Sequence, residues 1–162
     1  MARTVVADAG PLIAFGRIEK LDLLPRVLGE VLVPASVVAE CVIDMEKPGA
    51  RAIRDALRGK LLTRCPDPAP PQTPFPLLDT GESAAIRVAL KLSAAVLIDE
   101  KTGRAIATKL GLSVIGTGGV LLAAKKRGLI PSVQTVLGAI VEHGYHLSDA
   151  LIQAILTRAG ER

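Results

Sequence analysis

Aromatic residues are nearly missing from this 162-residue chain, which has two phenylalanines, one tyrosine and no tryptophan. A core without large rings must be filled by Leu, Ile, Val and Ala, the mixture that suits a buried parallel sheet covered by helices. Cysteine is scarce too. Cys41 and Cys65 stand in unrelated contexts with no CxxC spacing, which argues against a disulfide scaffold and for free thiols in a reducing compartment. Long uncharged apolar runs are also absent. The longest, over 110–124, carries four glycines and falls short of the ~18–20 residues that span a bilayer. The apolar stretch after Arg3 is broken by Asp8, Gly10 and Pro11, unlike a secretory leader. The expectation is a soluble cytoplasmic protein with no membrane partner.

What is present is a hydrophobic fraction of 49%, a mean hydropathy of +0.41, a net charge of +4 and a pI near 9.3. That charge leans toward a polyanionic partner. The length suits one domain over 1–162, since single cores run to about 100–200 residues.

Short apolar strands alternate with helical periodicity. Strands are expected over 4–7, 30–33, 60–63, 95–98 and 113–115. Helices are expected from 12, over 21–28, around Val37 to Val42, and over 50–57, 79–92, 102–110, 120–127, 132–143 and 147–158. Pro11 sits where a first helical turn tolerates proline, and Pro34 should stop the second strand. Six prolines over 66–76 make a rigid extended connector. The pattern implies an α/β fold, a three-layer α/β/α sandwich with a mostly parallel central sheet. Ligands in such sheets bind at the carboxyl ends of the strands, where strand order reverses.

Asp8 and Asp99 each end an apolar strand. Glu40 lies on the helix after the second strand, and Glu82 lies in the first turn of the helix before the Asp99 strand. If both strands are central, four acids from four segments meet at one rim. Like charges in such a cluster repel, by about 1 kcal/mol per close pair in water and more in a protein, so the cluster implies bound cations. Hard oxygen donors with no nearby histidine favour Mg²⁺ or Mn²⁺ over zinc. Taken singly, each acid also suits a structural role. Asp8 can cap the following helix, Asp79 with Glu82 fits a capping box, Glu40 suits a solvated helix face, and Asp99 with Glu100 can cap the next helix.

The segments that carry these acids resemble the PIN-domain family. Val5-Val-Ala-Asp-Ala-Gly-Pro-Leu-Ile-Ala14 is similar to its opening strand and helix, and Val33-Pro-Ala-Ser-Val-Val-Ala-Glu40 to its second signature. Leu78-Asp-Thr-Gly-Glu-Ser-Ala-Ala85 and Val96-Leu-Ile-Asp-Glu-Lys-Thr-Gly-Arg104 resemble the third and fourth. The likeness continues through Gly111 to Gly119, and the later helices look like those of a variant subgroup. The resemblance implies an endoribonuclease in which Asp8, Glu40, Glu82 and Asp99 hold one or two Mg²⁺ or Mn²⁺ ions. It also implies a toxin-like member blocked by a small antitoxin protein.

The chain departs from the family pattern at some positions. Gly10 stands where a Ser, Thr or Asn is common, the third acid is Glu rather than Asp, Asp79 competes one turn away, and Glu100 adjoins Asp99. A catalytically silent module that binds RNA or a protein is the alternative. A phospho-acceptor domain would want an acidic pair at Asp8-Ala9, and a dehalogenase-type phosphohydrolase would want an acid at residue 10.

Lys101 and Arg104 are candidates to hold substrate phosphate. Thr117, in a glycine turn before a helix, is a candidate to offer its hydroxyl or amide to an anion. Gly116 to Gly119 lacks both the GxGxxG spacing and the P-loop lysine. Lys125, Lys126 and Arg127 suit a solvated cluster at a helix end. His143 and His146 have no third ligand beside them and suit surface or core positions, and Cys41 suits packing. Apolar stripes through Leu137, Ile140, Val141, Leu151, Ile152 and Ile155 fit either an internal core or a homodimer.

Overall fold

A computed structural model describes residues 3–69 and 75–161. Of the connector expected over 66–76, residues 70–74 lie outside the described residues. Strand β1 (Thr4–Ala7) is followed by α1 (Ala9–Arg17), α2 (Leu23–Leu28), β2 (Glu30–Pro34), α3 (Ala35–Val42), α4 (Ala50–Arg58) and β3 (Thr63–Cys65). After the connector come α5 (Thr80–Leu92), β4 (Ala95–Leu97), α6 (Lys101–Lys109), β5 (Val114–Ile115), α7 (Thr117–Lys126), α8 (Val133–Glu142) and α9 (Asp149–Ala159).

The five strands form one sheet in the order β3-β2-β1-β4-β5, and every pairing is parallel. Val5 lies opposite Val31 on one side and Ala95 on the other. Alternation sends Val5, Ala7, Val33 and Leu97 into a core with α1, α2, α7 and α8. Val6, Val96 and Ile98 face the opposite way, against Ala85, Ile86 and Ala89 of α5 and Ala107 of α6. Three layers result. From β1 the chain builds outward through β2 to β3, then returns to place β4 on the other side of β1. The switch point therefore lies between β1 and β4.

Some bounds differ from the sequence expectation. The third strand begins at Thr63, pairing with Leu32, rather than at Lys60. Lys60 takes a positive φ of 66°, the amides of Leu61 and Leu62 both bond to the Ala56 carbonyl, and Leu62 turns fully into the core. Residues 60–62 are thus the exit from α4. The seventh helix starts at Thr117, so Gly118 and Gly119 are helical and not part of a turn. Gly118 permits close packing of α7 on α9, because a Cβ there would stand 2.6 Å from Ile155 Cδ1. Of the apolar stripes near the C-terminus, Leu137, Ile140 and Ile155 are buried within the chain, whereas Val141 and Leu151 stay exposed. No helix among the described residues is long and apolar enough to cross a membrane.

The last two helices are tied back by Glu161. Its carboxylate accepts from the amides of Val133 (2.8 Å) and Gln134 (2.9 Å), from the Ser132 hydroxyl and from Lys125 Nζ (2.8 Å). It thus caps the N-terminus of α8 from the far end of α9, where the helix dipole favours an anion. These bonds, that from Lys125 first, hold its pKa down at about 2. A depressed carboxylate stabilises the fold above its ordinary pKa, and the contribution fades as pH falls from about 4.5 toward 2. Glu161→Gln at pH 7 is expected to lower the protection of the Val133 and Gln134 amides against hydrogen exchange while β1 stays protected. Unchanged exchange at those two amides would remove Glu161 from this role.

Candidate active site

Asp8 follows β1 directly, and its amide continues the ladder by donating to the Leu97 carbonyl (2.9 Å). Asp99 lies just beyond β4, the neighbouring strand. Both acids therefore stand at the switch point, on the carboxyl rim. Asp8 occupies the N-cap position of α1 but makes no capping bond with its side chain, and only 6% of its surface is exposed. Its capping role is not realised, and its carboxylate has no ion-pair partner among the described residues. Burial, with further repulsion from Glu82, Asp79 and Glu40, raises its pKa to about 7 despite an opposing bond from the Ala9 amide.

Glu40 on α3 and Glu82 in the first turn of α5 reach the same cleft, because α3 packs against α5. Burial raises the pKa of both; the Asp79 charge adds to the rise in each, while the bond from the Asp79 amide opposes it at Glu82. The cleft measures about 510 Å³ and gathers six carboxylates, Asp8, Glu40, Asp79, Glu82, Asp99 and Glu100, against Lys101 as its one lysine or arginine. His146 also lines it, from an exposed position. The four acids singled out in the sequence do surround one cavity.

Two of the structural roles weighed for these acids are also filled. Asp79 accepts from the Glu82 amide (2.7 Å), and Glu82 Oε1 accepts from the Asp79 amide (3.1 Å), so the capping box forms. Glu100, not Asp99, caps α6 by accepting from Thr102 and Gly103 amides. Asp99 is free of α6 and is held from elsewhere. Thr117 donates its amide to Oδ1 (2.7 Å) and its hydroxyl to Oδ2 (2.6 Å), and the Tyr145 hydroxyl donates to Oδ2 (2.5 Å). Asp99 thus caps α7 across the sheet edge.

This geometry reassigns one of the three candidate phosphate contacts and moves another to a neighbouring cleft. Thr117 is fully buried, and the anion it binds is Asp99, so it positions an acid and does not touch substrate. Arg104 donates to the Ile98 carbonyl (2.8 Å) and lines a neighbouring cleft together with Asp99. Lys101 remains at the mouth of the acidic cleft, exposed.

Tyr145 is the residue that sequence reasoning missed. It lies between α8 and α9, and burial followed by the Asp99 charge pushes its pKa well above the usual phenol range. Its hydroxyl occupies the space beside Gly10, where a Cβ would stand 2.8 Å from the phenolic oxygen. The available signals were its being the only tyrosine in the chain and the bare backbone at Gly10. Cys41, buried beside Glu40 and Asp8, has its thiol pushed up to about 12, chiefly by burial, and serves as packing.

Two outcomes follow from this geometry. Gly10→Ala is expected to cost about 1–3 kcal/mol through overpacking, and distinctly less when Tyr145→Phe removes the oxygen it meets. Equal cost in both backgrounds, by urea unfolding, would show that the two positions do not compete. Asp8→Asn is expected to stabilise the chelator-treated protein at pH 8 by on the order of 2 kcal/mol, because a carboxylate with a raised pKa loses stability as pH rises from 3.8 to about 7 and the loss is complete above that. A lower melting temperature for the Asn variant at pH 8 would refute that cost.

Comparisons with known proteins agree with this architecture. A family model described as PIN domain matches residues 4–161. Among solved structures, a PilT N-terminus domain protein from the hyperthermophilic archaeon Sulfolobus solfataricus P2 superposes with a TM-score of 0.53 at 16% identity, covering 90% of this chain and 99% of that one. At that identity the likeness concerns the fold. No curated protein matches the chain. The match over nearly the whole length, together with the acidic rim at the switch point, establishes that the chain belongs to the PIN-domain family.

Proposed function

We propose that this PIN domain is a metal-dependent endoribonuclease, the toxin component of a toxin–antitoxin pair. PIN domains are commonly nucleases, and the observation that carries the reading here is Asp8. A buried carboxylate with no capping bond and no cationic partner, beside three further acids, is costly unless a cation joins it. The carboxylate oxygens of Asp8, Glu40, Glu82 and Asp99 fit Mg²⁺ or Mn²⁺, with His146 at an exposed position of the same cleft. Asp8 and Asp99 would hold the ion, with Glu40 and Glu82 ligating directly or through water. When bound, such an ion activates water and stabilises the charge that develops on phosphate oxygens.

The chain's own residues set the stage for that chemistry. Thr117 and Tyr145 fix the Asp99 carboxylate so that its orientation need not be won at the moment of reaction. Lys101 supplies a positive charge at the cleft mouth, where a phosphate would enter. A small antitoxin protein is the partner proposed to cover the acidic cleft.

A specific observation favours the second reading, a catalytically silent module that binds RNA or a protein. Among the described residues no three ligating side chains stand together as a ready metal site. Glu82 is engaged in its capping box and Asp99 already accepts three bonds.

Calorimetric titration with Mn²⁺ separates the two readings. Saturable binding that Asp8→Asn and Asp99→Asn both abolish, with loss of metal-dependent RNA cleavage, is expected of the nuclease. Affinity should fall about tenfold per pH unit below pH 7, since Asp8 must release a proton to bind. Absent or unaltered binding in all three proteins would leave the silent module.

A further inference from the structure

The acidic cleft creates a difficulty for any polyanionic substrate. Its six carboxylates face one lysine, so an RNA strand approaching it alone is repelled. The attraction must come from a neighbouring surface, and a second cleft of about 500 Å³ adjoins the first, with Asp99 and Leu151 lining both. It runs beside the edge strand β5, from Asp99 at the carboxyl rim to Arg3 before β1.

Among the described residues four arginines line it, Arg3, Arg104, Arg127 and Arg158, and its only acid is Asp99. None of the four has a carboxylate partner among the described residues, where the ion pairs are Arg26–Asp22, Arg54–Asp55 and Lys125–Glu161. Arg127 is anchored through Nη1 to the Arg26 and Val27 carbonyls at the end of α2, which fixes its direction and leaves other donors of the fork free. The helix-end cluster expected at 125–127 is therefore divided. Lys125 serves Glu161, and Arg127 serves the cleft. Ile115 and Leu122 give the cleft an apolar floor.

We propose that this arginine-lined cleft holds the backbone of a single RNA strand on one side of the scissile phosphate, with the strand crossing Asp99 and Leu151 into the acidic cleft. The proposal rests on the ribonuclease reading and adds its substrate path. Arginine forks match phosphate oxygens in pairs, and an apolar floor receives any base face. The volume lies within the range of cavities that hold nucleotide-sized ligands. No aromatic ring lines the cleft, so binding there is set by charge and is tolerant of sequence.

The test is fluorescence anisotropy of a short labelled single-stranded RNA of mixed sequence, with protein in EDTA so that nothing is cut. Arg3→Ala/Arg158→Ala is compared with Arg51→Ala/Arg58→Ala on α4, which removes the same charge elsewhere. The cleft variant is expected to bind at least about tenfold more weakly at 0.1 M salt, with a salt slope smaller by about 1.4, and the α4 variant to bind like wild type. Equal weakening in both variants, or in neither, overturns the proposal. So does tight binding of a poly-glutamate peptide with the same arginine dependence when RNA does not bind, which assigns the cleft to a protein partner.

Cleavage assays on the same proteins keep the two readings apart. Cleft-dependent RNA binding without any metal-dependent cleavage sinks the nuclease and keeps the cleft. Cleavage by a protein whose RNA binding ignores these arginines does the reverse.

Discussion

The carboxylate of Asp99 is the junction on which the rest of the site depends. It belongs to the turn after a central strand, yet its three hydrogen bonds come from Thr117 and Tyr145, far later in the chain. A charged acceptor with three short donors is worth more than neutral bonds, and it fixes α7 and the α8–α9 segment relative to β4. Because Asp99 accepts from α7, Glu100 is left to cap α6. Because Tyr145 must reach Asp99, α1 carries no side chain at Gly10. The walls of both clefts follow from this one group.

A second constraint is electrostatic. The carboxyl ends of parallel strands bring successive loops to one edge, and here those loops bring acids. The fold accepts the repulsion by burying Asp8 and shifting its proton equilibrium toward neutrality. It also lines the cleft beyond Asp99 with four arginines that have no carboxylate partner among the described residues. The two clefts are therefore opposite in sign and share a wall, which gives a polyanion a direction of approach.

Much of this was legible in the sequence, for reasons that are local. The strand Thr4–Ala7 is bounded by Arg3 and Asp8, and burial on both faces makes it an unbroken apolar run. Asp8 and Asp99 were recognisable because each ends such a run. The end of β2 was readable from Pro34, and the start of α5 from Asp79 with Glu82. Less local features were not. The edge strand β3 has only three residues, and the preceding Leu61-Leu62 mimics a strand while serving the exit of α4. Thr117 looked open to an anion because nothing nearby in sequence indicates that Asp99, eighteen residues earlier, takes both its donors. Tyr145 has no periodicity to announce it. Its role is visible only when Gly10 and Asp99 are seen in contact with one hydroxyl.

The placement of Tyr145 has a consequence for how the protein is made. The first acid of the site, Asp8, and the hydroxyl that fixes its neighbour, on Tyr145, are 137 residues apart, so the two leave the ribosome at very different times. Chains fold from the N-terminal side as they emerge. The sheet and its acids can assemble early, yet Asp99 lacks one of its three donors until the segment after α8 docks. A nascent chain of this design carries an unfinished rim until Tyr145 has emerged and docked, so the site is completed by a segment made long after its first acid.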